Sequence, residues 1–447
     1  MAAAVIKQIS RDNWNCDSKC DISMDTAEKN AKVKKFKFFT WRTVILIAAI
    51  IVNSGIPVEY LSRNFVAHAT LDCSSLEVCN EKFDVPPLLI ISSDGFWNNY
   101  LVQNITPAIQ NLINCGTHSN YMLPSFPSKT FPNHYTIATG LYPAWHGIVD
   151  NRFYDAQKEE FFKKSSRDSG WYLGEPKGTL SGITPDYWMK YDSSVPFTQR
   201  VDTVIRWLKL PKDERPTLIQ LYFEEPDWAG HDKGPHSQKV RTALLLMDGI
   251  INYLTRQLIE EGLIGCINII LLSDHGMQQM EKSKSIAMAD YIGKNFSEIF
   301  FDGVVARIEI DQSEKKKDAN SITNSLISKL KCQYGKNFVV YRKDLVPIRY
   351  HYAGPRIGDI IINGRPGISI FLKQKKKDSY DRHGDHGYDN RIGSMRTIFV
   401  AIGPDIAHKK KISSFQNVEL YNLFTCKCHF SKMTNRITVR PAQLAHV

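Results

Sequence analysis

Cysteine is scarce. Nine in 447 residues are too few for a disulfide framework to stand in for a hydrophobic core. Glycine and proline, 26 and 20, are not raised, which excludes collagen-like and Pro/Gly-rich disordered chains. Internal repeats and low-complexity tracts are absent. No nucleic-acid-binding motif accompanies the formal charge of +11, so no nucleic-acid partner is expected. The charge is concentrated in short runs, at Lys315–Lys317, Lys375–Lys377 and Lys409–Lys411. These read as solvated loops; attraction of polyanionic ligands is the second reading. What remains is a globular composition, 43% hydrophobic and 23% charged, long enough for one large domain or two ordinary ones.

One apolar run stands out, TVILIAAIIVNSGIPVEYL, from Thr43 to Leu61. Lys32, Lys34, Lys35, Lys37 and Arg42 precede it, and no comparable basic cluster follows. About 20 apolar residues span a bilayer as a helix, and the basic flank places the N-terminus in the cytoplasm. A cleavable signal peptide fits less well, because the polar leader is long and no clear small-x-small site follows. The expectation is a cytoplasmic tail over 1–43 and a single transmembrane signal anchor over 44–60. A linker then covers 61–84, and the bulk of the chain lies outside the cell at the plasma membrane. Cys16 and Cys20 then face the cytoplasm, and Cys73 and Cys79 are a candidate pair. Asn104 (NIT) and Asn295 (NFS) are candidate glycosylation sites.

From Pro86 the pattern changes. PPLLIISSDG, TLIQLYFEEPD, INIILLSDHG and TIFVAIGPD read as buried parallel strands. The stretches between them carry helical period, most clearly SQKVRTALLLMDGIINYLTRQLIEEG. The alternation predicts an α/β domain, a mostly parallel central sheet with helices on both faces. Asp94, Asp227 and Asp274 follow three of the strands, where ligands of open α/β sheets bind. A single acid there is adequately explained as a helix cap; three, two of them with histidines nearby, are not.

Asp227 and His231 are four apart, on one side of a helical turn. Asp274 and His275 are adjacent. The motif GDHGYDN adds His386, with His383 and Asp385 close by. Aspartate and histidine without cysteine suit zinc, and five or six such ligands suit two ions rather than one. Thr130, in PSKTFPNHYTIATG, is a poor nucleophile unaided. A metal ion beside it lowers its hydroxyl pKa, Pro132 marks the start of the following helix, and a helix N-terminus favours a phosphate. Lys129 adds charge there.

These residues resemble a family. DGFWNNYL, TPAIQNLINCGTHSNYMLPSFPSKTFPNHYTIATGLYPAWHGIVDN, YFEEPDWAGH, LLSDHGM and HGYDN are similar, in wording and order, to the ectonucleotide pyrophosphatase/phosphodiesterases of the alkaline phosphatase superfamily. The resemblance runs from about Pro86 to about Cys426. It implies an alkaline-phosphatase-like catalytic domain over 85–426, a two-zinc hydrolase of nucleotide phosphodiester or pyrophosphate bonds, and a threonyl-phosphate ester on Thr130. It implies one zinc on Asp227, His231 and His386, and the other on Asp94, Asp274, His275 and Thr130. Asn151 matches the residue that holds a phosphate oxygen, and Phe131 and Tyr222 match aromatics that sandwich the base. Extracellular nucleotides or related phosphodiesters are the implied substrates.

Two departures stand out. WYLGEP, Trp171 to Pro176, is followed almost at once by TPDYW from Thr184, so about 20 residues, a helix and a strand, are short of the family pattern. The tail over 427–447 loses the resemblance. The likeness is to compact members, without cysteine-rich or nuclease-like domains. The shortened segment motivates a rival reading, a membrane-tethered interaction protein with an impaired site. Lysophospholipid or choline-phosphodiester cleavage is a third.

Overall fold

The computed structural model describes residues 5–6, 71–79, 83–163, 185–294, 296–310, 319–331 and 337–427. The principal strands are β1 (Leu88–Ser93), β2 (Thr117–Ser119), β3 (Leu218–Phe223), β4 (Asn268–Leu272), β5 (Phe399–Ile402) and β6 (Lys410–Ile412). They form one sheet in the order β3-β1-β4-β5-β2-β6. β3, β1 and β4 are parallel, Leu88 pairing with Leu218 on one side and Asn268 on the other. Every residue of β1 and β4 is buried, as expected of strands covered on both faces.

Alternate residues of these strands feed two cores. Leu89, Ile91, Ile219, Leu221, Ile269 and Leu271 pack with helices α1 (Pro107–Cys115), α3 (Phe197–Leu208) and α5 (Gln238–Glu260). Leu88, Ile90, Ile270 and Leu272 pack on the other side, with α2 (Thr130–Thr139) and α7 (Leu420–Lys427). The expected α/β architecture with helices on both faces is therefore present. Between α2 and α7 in the chain lie also α4 (Asp227–Lys233) and α6 (Ala319–Lys331).

The sheet is mixed rather than mostly parallel. β5, the fourth expected parallel strand, runs antiparallel to β4, Phe399 opposite Leu272. A short, fully buried apolar run carries no information about direction. The connection from β4 to β5 is also no simple crossover. It contains a second, antiparallel sheet of Ile299–Phe301, Val305–Glu309, Ile360–Gly364 and Phe338–Arg342, backed by α6 through its own core. The sequence reading did not separate these strands.

Val5–Ile6 pairs antiparallel with Leu218–Ile219 at the outer edge of β3. A strand in this sheet lies on the sheet's own side of any bilayer. That pairing and the cytoplasmic tail expected over 1–43 are thus alternative arrangements. Among the described residues no helix is long and apolar enough to cross a membrane; the expected span, 44–60, lies outside them. So do the shortened segment at 176–184, Asn295, and the tail from 428 onward. Asn104 is exposed.

The end of the expected linker is structured. Cys73–Glu77 is a short 3-10 helix. Cys73 and Cys79 do not pair with each other; the bridges are Cys73–Cys115 and Cys79–Cys266. Six residues of local separation carried no information on which distant thiols the fold would bring up.

The Cys79–Cys266 bridge closes a span of 187 residues, so its loss releases much chain entropy on unfolding. Cys79→Ser should lower stability by about 2–5 kcal/mol, read from the denaturant midpoint; an unchanged midpoint would mean the bridge does not form in solution.

Candidate active site

The carboxyl ends of the three parallel strands deliver three aspartates to one place. Asp94 follows β1, Asp227 opens α4 beyond β3, and Asp274 follows β4. The junctions are interlocked. Asp227 N donates to Asp94 O at 3.0 Å, and Gly95 N donates to Asp274 Oδ1 at 3.3 Å. Gly95 has φ +68°, and a Cβ there would lie 2.8 Å from Asp227 Cβ. Only glycine permits both the conformation and the approach.

His275 Nε2 lies 3.2 Å from Asp94 Oδ1 and 3.1 Å from Asp274 Oδ2. His231 Nε2 is 3.4 Å from Asp227 Oδ2, and His386 Nε2 is 3.6 Å from Asp227 Oδ1. The His275 and His386 rings stack at 3.5 Å. Each imidazole turns Nδ1 to a backbone carbonyl: His231 to Gly384 O at 2.8 Å, His275 to Gly276 O at 3.0 Å, His386 to Ser128 O at 2.9 Å. A carbonyl only accepts, so Nδ1 carries the proton and each Nε2 lone pair faces the cluster. Three overlapping groups have ligand atoms within 4.8 Å of one another: Asp94, Asp274, His275; Asp227, His275, His386; and His231, Asp385, His386.

This set suits divalent cations. Asp94, Asp227 and Asp274 are 3%, 6% and 0% exposed, and an imidazole nitrogen stands 3.2, 3.4 and 3.1 Å from them in turn. Burial, and then Asp94, pushes the Asp274 carboxyl well above its ordinary range. Burial, then His275 and His231, holds His386 well below its ordinary value. Like charges crowded this way call for a counterion of opposite sign.

Thr130 is the first residue of α2, and its Oγ1 lies 3.1 Å from His275 Nε2. Lys129, the N-cap, gives no side-chain cap bond; instead Asn151 Oδ1 accepts from Phe131 N at 2.9 Å. Pro132 falls in the first turn, where its missing N–H costs nothing. One turn on, His134 anchors the helix: it contacts Thr130 O and Ser92 Oγ, each at 2.9 Å. Burial lowers its pKa to about 4.

The structure thus gathers Asp94, Thr130, Asp227, His231, Asp274, His275 and His386. His383 is excluded: it is exposed and its Nδ1 meets Asp232 O at 2.8 Å. Three further residues have contacts that the sequence did not show. Lys129 Nζ is taken up by both oxygens of Asp150 at 2.8 Å, which Arg307 also pairs at 3.2 Å. Tyr222 sits within the cluster, its hydroxyl donating to Asp94 Oδ2 at 2.5 Å. Its ring meets His134 and Tyr191 edge-on at 5.5 and 6.2 Å. Phe131 is half-buried on the rim, beside Phe162 and Tyr135.

Sequence reasoning missed His134 and Tyr191. His134 was within reach, standing at i+4 from Thr130. Tyr191 carries no spacing signal.

The comparisons agree with this geometry. A family model for type I phosphodiesterase/nucleotide pyrophosphatase matches residues 88–178 and 177–389, its two parts meeting inside the shortened segment. Ectonucleotide pyrophosphatase/phosphodiesterase family member 3 of Bos taurus is 37% identical over 82% of this chain and 45% of its own length. Family member 1 of Homo sapiens is 38% identical over 77% and 40%. Venom phosphodiesterase 2 of Crotalus adamanteus is 37% identical over 77% and 45%. The chain spans less than half the length of these curated relatives.

Zinc added to chelator-stripped protein should raise the melting midpoint by roughly 5 °C or more. The rise should be larger at pH 8 than at pH 5. The raised Asp274 stabilises the metal-free fold only at acid pH, and that contribution is lost as pH climbs above the ordinary carboxylate range. The lowered His386 costs stability as pH falls below 6.5. A cation replaces the Asp274 proton and requires neutral His386, so acid opposes it on both counts. A midpoint indifferent to zinc at either pH would remove the ion from these residues.

Proposed function

We propose that this chain, which belongs to the type I phosphodiesterase/nucleotide pyrophosphatase family, is a two-zinc hydrolase cleaving phosphodiester or pyrophosphate bonds of extracellular nucleotides. The observation that carries the reading is Thr130 Oγ1, 3.1 Å from His275 Nε2 at the opening of α2, beside three buried carboxylates and three imidazoles with Nε2 turned inward. Asp94, Asp274, His275 and Thr130 would hold one ion; Asp227, His231 and His386 the other. When bound, the ions make the threonine hydroxyl and a water more acidic and offset negative charge on the phosphate.

Thr130 loses its proton and its Oγ1 forms a bond to phosphorus, while the bond from phosphorus to the leaving oxygen breaks. Water then cleaves the threonyl-phosphate ester, releasing a nucleoside monophosphate and restoring the hydroxyl. Asn151 has committed Oδ1 to Phe131 N, so it offers a phosphate oxygen only its Nδ2 donors. The N-terminus of α2 favours the same anion. Tyr222 fixes Asp94 through its hydroxyl, and its ring is the second aromatic proposed to stack on the base. Phe131 is the rim aromatic that supports base stacking, and stacking tolerates any base.

Two disulfides in the described residues support an oxidising compartment, which accords with the ecto- prefix of the relatives' names. The cell-surface placement, with 44–60 as a single-pass anchor, rests on the sequence pattern. The impaired-site reading loses weight because the residues flanking the shortened segment leave the cluster assembled.

Thr130→Ala should lower turnover of a nitrophenyl nucleotide ester by roughly a thousandfold or more, with its melting midpoint within a few degrees of wild type; retained turnover would remove Thr130 as nucleophile. Phe131→Ala should raise KM for that ester about tenfold, and by much less for bis-nitrophenyl phosphate, which has no base. Equal effects on the two would assign the ring to packing alone.

A further inference from the structure

Arg382 has no part in the machinery described so far. Its Nη1 lies 3.2 Å from His231 Nδ1 and 3.1 Å from His231 Nε2. A nitrogen equidistant from both ring nitrogens cannot lie along either in-plane lone pair. It lies over the ring. The stack therefore leaves His231 Nε2 facing Asp227 and His386, and leaves the Nδ1 proton on Gly384 O.

The backbone on both sides of Arg382 is pinned, while its side chain is 49% exposed. On one flank Lys282 Nζ donates to Asp381 O at 2.7 Å. On the other, His383 N donates to His231 O and Met280 N to His383 O, both at 2.8 Å. Asp385 Oδ1 stands 3.8 Å away, farther than a hydrogen bond, so the fork retains donors for a ligand.

In an in-line displacement the attacking and leaving oxygens occupy opposite sides of phosphorus. Thr130 belongs with Asp94, Asp274 and His275. Arg382 belongs with His231, on the Asp227 and His386 side, which is the side of the leaving oxygen. A planar fork of N–H donors matches a phosphate group better than an uncharged alcohol or aryl group. Asp385 is the nearest carboxylate to the guanidinium and is not within hydrogen-bond distance, so an anion in the site can take up the fork's free donors.

We propose that Arg382 is a specificity-determining residue that recognises a phosphate-bearing leaving group, selecting phosphoanhydrides over simple esters. The inference rests on the phosphodiester hydrolase reading above. It is tested on zinc-loaded protein with two substrates, a nucleoside triphosphate and a nitrophenyl nucleotide ester, and by calorimetric titration with inorganic pyrophosphate. Arg382→Ala should lower kcat/KM for the triphosphate about tenfold or more relative to the ester, and weaken pyrophosphate binding by a similar factor. Losses alike on both substrates, or unchanged pyrophosphate affinity, would overturn it. If Arg382→Ala melts well below wild type, Arg382→Lys, which keeps the charge and loses the fork, is read by the same ratio. A wild type inactive on both substrates would remove the hydrolase reading itself; a wild type active on both, with the ratio unmoved by the variant, removes only this inference.

Discussion

Three carboxylates buried within one another's reach are the constraint from which the rest of this structure follows. Each buried anion costs several kcal/mol unless it is compensated, and imidazoles are set against Asp94, Asp227 and Asp274. The fold tolerates them because the parallel strands β3, β1 and β4 all end there, and because three imidazoles share the space. The protein is organised to present negative charge and neutral nitrogen lone pairs to a cation, at the end of the sheet where backbone geometry already favours a ligand.

The surrounding contacts make sense as support for that arrangement. Backbone carbonyls set the tautomer of every imidazole in the cluster, so the lone pairs need no reorganisation to face inward. Tyr222 and Gly95 N hold two of the carboxylates from behind. The small antiparallel sheet contributes through Arg307, almost fully buried, which together with Lys129 balances Asp150. Asp150 Oδ1 in turn accepts from Asn151 N at 2.6 Å, so a residue far off in sequence helps seat the residue proposed to hold the phosphate.

Much of this was legible in the sequence, and for identifiable reasons. Unbroken apolar runs ending in aspartate announced the parallel strands and where their ligands would gather. The pair Asp227 and His231 was visible from helical spacing. His386 and His383 could not be separated by spacing, and the fold does so by turning His383 to the carbonyl of Asp232. The direction of β5 was not legible, because a buried four-residue strand satisfies its backbone equally in either sense. The partners of Cys73 and Cys79 were hidden for the same reason as Arg382: long-range proximity leaves no local pattern. An aromatic beside a site can have two duties, and the hydroxyl contact of Tyr222 with Asp94 is one that spacing did not show.

The two disulfides have a mechanical consequence. Cys115 ends α1, and Cys266 stands just ahead of β4, so both bridges grip the sheet at the pole opposite the aspartates. A force applied at residue 71 would therefore enter the domain through covalent bonds at that pole, and would reach the aspartate cluster only through the length of the sheet.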